Sequence, residues 1–435
     1  MTARGEAISV NEKHIISKIT WKLVPFLVLV YLVAYIDRTA VAFAKLQMST
    51  DVGISDAAYG LGAGLFFIGY FLFEVPSNLV LARYGARRCF ARIMISWGLI
   101  TVAMALVQGP YSFYILRFLL GAAEAGFFPG VLYYLTRWYP VRYRARATGL
   151  FVLAMPLAYI ITGPVSGLLL SVDGLAGLHG WQWLFICMGL PAILLAVPTL
   201  CWLPDTPAQV NWLSRGEKDW LQQQMDKDSQ AYASPAPMNI LAALKDPRVL
   251  LLCLVYMPLP LSVYGLSLWM PTLIKAFGTS DMATGFIYAM PYFMGIAGLL
   301  IIPRSSDRRD DRYGHLAAMY LLAAVSMFLS GWLHAAVAQL VALGFVAFAL
   351  FPINALFWAL SGRFLSGTGA AAAIALINSV GNLGGYIGPF AVGWITQLTG
   401  SLASGLYFLT VILLLGVLFT CVVYLALEKR RPKAG

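Results

Sequence analysis

The stretch RFLLGAAEAGFFPG, residues 117–130, puts an arginine and a glutamate inside a hydrophobic segment long enough to cross a bilayer. A charged side chain near the centre of a membrane helix costs roughly 2.5–3.5 kcal/mol on insertion scales, so Arg117 and Glu124 must be paired or face water. They are almost two helical turns apart and therefore share a face, with Gly121 between them leaving room for a helix or a ligand. The comparable pair is Asp37 and Arg38 in the first hydrophobic segment, and together the four charges sum to zero.

Composition sets the class. The 435 residues are 60% hydrophobic and 11% charged, with a mean hydropathy of +0.77, beyond what a soluble domain can bury. The net charge of +11 does not indicate nucleic acid, because the basic residues fall in short clusters between apolar segments, as membrane topology requires. Cys89, Cys187, Cys201, Cys253 and Cys421 are scattered and form no CxxC or metal spacing. His14, His179, His315 and His334 are equally dispersed, so neither a metal site, a cofactor nor a Cys/His nucleophile is expected. The polar N-terminus leads into a long apolar segment without a small-residue cleavage site, so no removable signal peptide is expected.

Twelve segments of spanning length follow, six at about 21–44, 59–81, 90–108, 111–136, 146–170 and 182–203, and six at about 248–274, 283–303, 314–334, 336–361, 369–397 and 403–427. The expected fold is an all-α membrane protein, with a six-helix bundle over residues 1–203, a linker over 204–247 and a second six-helix bundle over 248–435. Within the linker, Ser214 and Glu217 make a capping box for a short helix through Met225. Trp212, Trp220 and Leu221 would lay that helix on the membrane surface. Lys and Arg cluster at Arg4 to Lys22, Arg83 to Arg92, Arg137 to Arg146, the linker, Arg304 to Arg312 and Lys429 to Lys433, all on one side of a twelve-span chain. The opposite loops carry only Lys45 and Lys275, which predicts that both termini lie in the cytoplasm.

Two pairs of motifs reveal a repeat. NLVLARYGARR and RSSDRRDDRYGH carry Tyr-Gly at Gly85 and Gly314, and GPVSG and GPFAVG carry Pro164 and Pro389, each pair offset by just over half the chain. A parallel repeat of six helices is a recurrent transporter plan, with the substrate site between the halves near the bilayer midplane.

These features resemble the major facilitator superfamily. YIDR at 35–38, FEVPSNL at 73–79, GARR at 85–88, RIMISWG at 92–98, GWQWLF at 180–185, LPDTP at 203–207 and INSVGNLGG at 377–385 resemble its anion:cation symporter family, over essentially the whole chain. VDGLAGLHGWQWLF is similar to the bacterial branch containing 4-hydroxyphenylacetate, tartrate and phthalate permeases. The resemblance implies proton-driven uptake of small organic anions, with Asp37 and Glu124 carrying protons, Arg38 taking the substrate carboxylate and Arg117 balancing Glu124. Guanidinium suits that task, since it binds carboxylate bidentately and stays charged when buried. Two positions depart from the pattern. Ala82 replaces the aspartate of the general loop motif, although Asp307 keeps the acid in the second half, and Met155 stands where sugar-acid carriers place a polar amide.

A purely structural salt-bridge network joining helices one and four is the competing account of the four charges. Buried pairs stabilise weakly because desolvation offsets their attraction, so stability alone is a poor reason to keep them. Glu74 precedes Pro76 and is expected to gate, through contact with Arg83 and Arg87, opposite Asp307 and Arg308 of the equivalent loop. The second half carries no acid or Lys inside its spans; Asn378 and Asn382 share one helix face and Asn354 and Trp358 another. Tyr35 and Tyr70 could close over a ligand. The glycines at 60, 64, 381, 384, 385 and 388 are expected to serve close packing.

The resemblance thus implies a symporter of the inner membrane, expected as a monomer in lipid, importing an aromatic acid or a hydroxy-dicarboxylate such as tartrate. The alternatives are an anion exchanger and a sugar-acid symporter. A membrane enzyme is disfavoured by the lack of any nucleophile–base or metal spacing, and a sensor by a linker too short to be a partner domain.

Overall fold

In the computed structural model, residues 11–231, 246–361 and 370–428 are described. Arg4, the linker from 232 to 245 and the basic cluster Lys429 to Lys433 lie outside them. Among the described residues, ten helices are long and apolar enough to cross a membrane. In chain order they are α1 (Glu12–Asp51), α2 (Asp56–Tyr84), α4 (Pro110–Thr136), α5 (Val141–Leu170), α6 (Gly180–Trp202), α7 (Pro247–Ser267), α8 (Asp281–Arg309), α9 (Arg312–Trp332), α10 (Ala336–Ser361) and α12 (Leu402–Val423). Two further helices, α3 (Ala86–Met104) and α11 (Ala370–Thr399), complete the twelve.

The repeat governs packing. In the first half α1 packs on α5 and α6, α2 on α4, and α3 on α4 and α6; in the second, α7 packs on α11 and α12, α8 on α10, and α9 on α10 and α12. Each of these contacts recurs six helices later. The halves meet along two crossings that exchange under the same rule, α2 with α11 and α5 with α8. Helix starts repeat as well. SDAAYG (55–60) and SDMATG (280–285) open α2 and α8, and Ser55 and Ser280 accept from the N–H groups of Ala58 and Ala283 at 3.3 and 3.2 Å, each satisfying one orphan donor of the first turn.

These short motifs also close one end of the molecule, here the far face, opposite the face bearing the linker helix. At the α5–α8 crossing, a Cβ on Gly163 would collide with the carbonyl of Gly285, and one on Gly285 with the carbonyl of Gly163. At the α2–α11 crossing, a Cβ on Gly60 would stand 2.6 Å from the Pro389 carbonyl oxygen. Small residues let the backbones approach this closely. Hydrogen bonds join the halves beside them: Tyr59 donates to the Leu268 carbonyl at 3.0 Å, Gln47 to Asp281 at 2.9 Å, and the Ala57 N–H to Gln397 at 2.9 Å. Lys45 pairs with Asp56 at 2.9 Å and lies 4.5 Å from the Trp269 ring of the second half.

The linker departs from expectation. The capping box forms, with the Ser214 N–H donating to Glu217 at 2.7 Å and the Glu217 N–H to Ser214 Oγ at 3.3 Å. The helix Arg215–Ala231 that follows is docked on protein instead of lipid, because Leu221 is fully buried and Trp212 stacks on Trp138 at 5.9 Å. Lys18 bridges to Glu217 at 3.1 Å, and the Val141 N–H donates to Asp228 at 2.7 Å. Partial burial alone would push the Glu217 carboxyl up, but the Ser214 N–H and the Lys18 ammonium outweigh it and hold it below the usual range.

Gly285→Leu is expected to wedge α5 from α8. Pulsed EPR distances between labels on the loops after α5 and before α8 should lengthen; an unchanged distribution would remove this crossing from the seal.

Candidate functional site

A cavity of about 850 Å3 lies between the halves. Its wall runs from Tyr35 and Arg38 of α1, through Phe66, Phe67, Tyr70 and Glu74 of α2, to Ala145 and Thr148 near the start of α5 on the linker-bearing face. From the second half come Tyr256, Pro260 and Tyr264 of α7, Phe351, Asn354 and Trp358 of α10, and Asn378, Gly381 and Asn382 of α11. The floor is aromatic. Tyr159 of α5 and Tyr292 of α8 stack face to face at 4.6 Å with 5° between their planes, and both lie edge-on to Phe351. Beyond them come the Gly163–Gly285 crossing and Tyr288, packed on Phe43 at 4.9 Å. The cavity is therefore closed at the far face and reaches toward the other.

The four buried charges separate into two layers. Arg38 and Glu124 line the cavity and pair with each other at 2.7 Å. Arg38 is also surrounded by rings, with its guanidinium carbon 5.0, 4.9 and 5.4 Å from the centroids of Tyr35, Phe66 and Tyr70. Behind the wall, Arg117 is 1% exposed, donates to the Ala63 carbonyl at 3.3 Å and lies 5.0 Å from the Phe66 ring. Phe66 thus serves two guanidinium groups. Asp37 is 2% exposed and accepts from Thr101 of α3 at 2.6 Å.

This arrangement corrects the expected pairing. Arg38, not Arg117, is the ion-pair partner of Glu124, and Arg117 lies outside the cavity wall. The cause is local. Pro129 has no N–H to complete the helix, and α4 breaks after Glu124 where Gly126 adopts φ 88°, so Glu124 ends a helical segment with its carboxylate turned to α1. Arg117 sits two turns earlier, against α2.

The other expected residues divide similarly. Tyr35, Tyr70, Trp358, Asn378 and Asn382 are brought together on the wall, and Met155 joins them. Glu74 faces the cavity and accepts from Asn382 at 3.3 Å, instead of reaching the Arg83 to Arg88 cluster. That cluster is held within its own half: the Arg87 N–H donates to Asp205 of LPDTP at 2.9 Å, and Arg83 lies against Tyr84 at 5.6 Å. Gly85 is required there, since its φ is 88° and a Cβ would meet the Asp205 carboxylate at 2.9 Å. Asp307 pairs with Arg312 at 3.6 Å, and Arg308 occupies the last turn of α8. Among the described residues no ion pair joins the two loops. Sequence reasoning missed Tyr31, Phe66, Phe67, Tyr256 and Tyr264. The signal was present, because Tyr31 with Tyr35 and Phe66 with Tyr70 recur at one-turn spacing beside the charged residue of YIDR.

Two six-helix bundles around a central cavity that is sealed at one face, with a charged anchor in one bundle and neutral polar groups in the other, define a membrane carrier. The chain belongs to the Major Facilitator Superfamily, whose family model matches residues 27–389. It is 62% identical to the quinolone resistance transporter of Acinetobacter baumannii, over 97% of this chain and 98% of that one. It is 44% identical to a putative tartrate transporter of Agrobacterium vitis, over 98% and 97%. The fold matches the crystal structure of a bacterial homologue of the human lysosomal transporter Spinster in an inward-facing, occupied conformation, with a TM-score of 0.77, 16% identity and coverage of 95% and 98%. The protein is a multi-pass membrane transporter and not an enzyme.

Thr101→Val removes the hydroxyl that Asp37 accepts from and leaves a buried carboxyl unpartnered, a loss of about 1–3 kcal/mol. The apparent Tm in detergent should fall, and Thr101→Ser should retain it; a Thr101→Val protein as stable as the parent would mean that Asp37 is satisfied elsewhere.

Proposed function

We propose that this carrier imports a small organic carboxylate with protons by alternating access, across the bacterial inner membrane, as a monomer with both termini in the cytoplasm. On that orientation the cavity opens inward and the glycine crossings close the periplasmic side. Residues 1–203 and 248–435 would rock as the two bodies, joined by the 204–247 linker.

The observation that carries the reading is the Arg38–Glu124 pair on the cavity wall. A carboxylate cargo competes with Glu124 for the same guanidinium. When Glu124 takes a proton the fork is released, and Arg38 accepts the cargo in a bidentate contact. Proton binding and substrate binding are thereby tied through one side chain. Asp37, held on Thr101 behind Arg38, is the second proton carrier, and Arg117 offsets charge across Phe66. Asn378, Asn382 and Trp358 of the second half, with Tyr35 and Tyr70 of the first, would enclose the rest of the cargo. The aromatic wall favours an aromatic acid over a hydroxy-dicarboxylate, which would need a second cation, and Met155 argues against a sugar acid. The 62% relative's association with quinolones, which are fused-ring carboxylic acids, supports the same class and favours one second reading: exchange, with the carboxylate moving outward against protons.

Glu124→Gln keeps the shape of the side chain without a transferable proton. In proteoliposomes, entrance counterflow should survive while pH-driven accumulation collapses; full accumulation would remove Glu124 from coupling, and accumulation driven by the opposite gradient would establish exchange.

The charge balance predicts a current. With both acids ionised, Asp37 and Glu124 offset Arg38 and Arg117, so a monoanion alone would add one uncompensated charge away from water, which is expensive. One proton offsets the charge of the cargo; a second, on the other carboxyl, carries one net positive charge inward with it, a movement the membrane potential favours by about 2.3 kcal/mol per 100 mV. A solid-supported-membrane recording should show inward positive current on addition of a transported monoanion. No current would reduce the count to one proton.

A further inference from the structure

Glu74 is a carboxylate on the cavity wall with no cation paired to it among the described residues. Its Oε2 accepts from Asn382 Nδ2 at 3.3 Å, and among the described residues it enters none of the ion pairs. Among the described residues, the charged ones lining the cavity are Arg38, Glu74 and Glu124. Arg38 is already met by Glu124 at 2.7 Å, and behind the wall Asp37 and Arg117 cancel, so the ionised wall carries one surplus negative charge. That surplus opposes a cargo that is only an anion. A desolvated carboxylate calls for a cation or strong donors, and the remaining acceptor capacity of Glu74 faces the space where the cargo lies. A second acceptor is unused in the same wall, since Asn354 Oδ1 is buried without a hydrogen-bond partner.

Position fits polarity. The Tyr70 ring lies 5.4 Å from the Arg38 guanidinium, and Glu74 is one helical turn beyond Tyr70, about 6 Å of rise toward the linker-bearing face. Phe66, Phe67, Tyr70 and Tyr264 line the wall with these groups, with Phe67 and Tyr264 in contact at 4.4 Å. A positive anchor at one end, rings alongside and a negative anchor one turn beyond make a template for a planar molecule charged oppositely at its two ends.

We propose that Glu74 is the cation subsite of this cavity, and that the cargo is an aromatic carboxylate that also bears a protonated amine. The carboxylate lies at Arg38, the ring along the aromatic wall and the ammonium between Glu74 and the amide oxygens of the second half. Asn382, already bonded to Glu74, brings the second bundle to the ammonium, so the amine is read by both halves. This subsite rests on the carboxylate reading of Arg38 but is separable from it by experiment.

The probes are para-substituted benzoates bearing an amino group on one, two or three methylenes, each paired with the alkyl benzoate of equal length. Binding to the purified full-length protein is measured by tryptophan fluorescence and thermal shift. At least one amine-bearing probe should bind the parent protein roughly tenfold more tightly than its alkyl partner, the order of one charge-assisted hydrogen bond. Glu74→Gln keeps an acceptor for Asn382, so a merely structural carboxyl would leave that preference intact. The subsite requires the preference to vanish in Glu74→Gln through weaker binding of the amine-bearing probe, with the alkyl benzoate bound no more weakly than by the parent protein. Equal binding of every pair by the parent protein, or a preference that persists in Glu74→Gln, overturns the proposal. Arg38→Lys should weaken both members of a pair. If it weakens neither, or if no benzoate binds, the carboxylate reading itself fails and the subsite fails with it.

Discussion

The ion pair between Arg38 and Glu124 is the constraint around which the protein is arranged. Two opposite charges in a bilayer-spanning bundle are tolerable only together, and each must be delivered to the same point by a different helix. Helix α1 supplies the arginine, and α4 supplies the acid by breaking after it, with Gly126 in the left-handed region. The rings of Tyr35, Phe66 and Tyr70 then surround the guanidinium, and the second pair, Asp37 and Arg117, fits behind them against Thr101 and Ala63. The first half carries these charges; the second contributes amides and aromatic rings.

That asymmetry is laid over a symmetric frame. The main helix contacts of the first half recur in the second, and the α2–α11 and α5–α8 interfaces between the halves are related by the same repeat. Symmetry makes the seal, while the charges that have no counterpart in the second half make the site. The division follows from what each must do: a closure of backbone against backbone needs only small residues, whereas recognition of a charged cargo needs side chains at one place.

Much of this was legible. The span count, the six-plus-six repeat and the concentration of charge in segments one and four came from hydropathy and a handful of motifs, because bilayer insertion leaves few alternatives. SDAAYG and SDMATG carry the same repeat signal, each ending on a crossing glycine, Gly60 or Gly285, although a capping serine by itself marks only a helix start. Pairing was less legible than presence. Spacing put Arg117 and Glu124 on one face, but which cation meets Glu124 depends on the break at Gly126 and on the approach of α1, both tertiary facts. Glu74 was drawn toward the arginines near it in sequence, whereas its partner, Asn382, comes from the other half of the chain. The apolar residues of the linker suggest lipid, but Leu221 of its helix is buried in protein and Trp212 just before the helix stacks on Trp138.

The stacked rings of Tyr159 and Tyr292 have a meaning beyond the shape of the cavity. They lie flat together, 4.6 Å apart, one from each half, between the cavity and the glycine crossing. Apolar faces pressed together leave no room for a continuous file of water, and without such a file protons have no wire to follow. A carrier that keeps carboxyls this close to its closed end is always near to being a leak. On the proposed proton-coupled reading, these two phenol rings and the glycine crossing beyond them share the task of keeping the membrane an insulator.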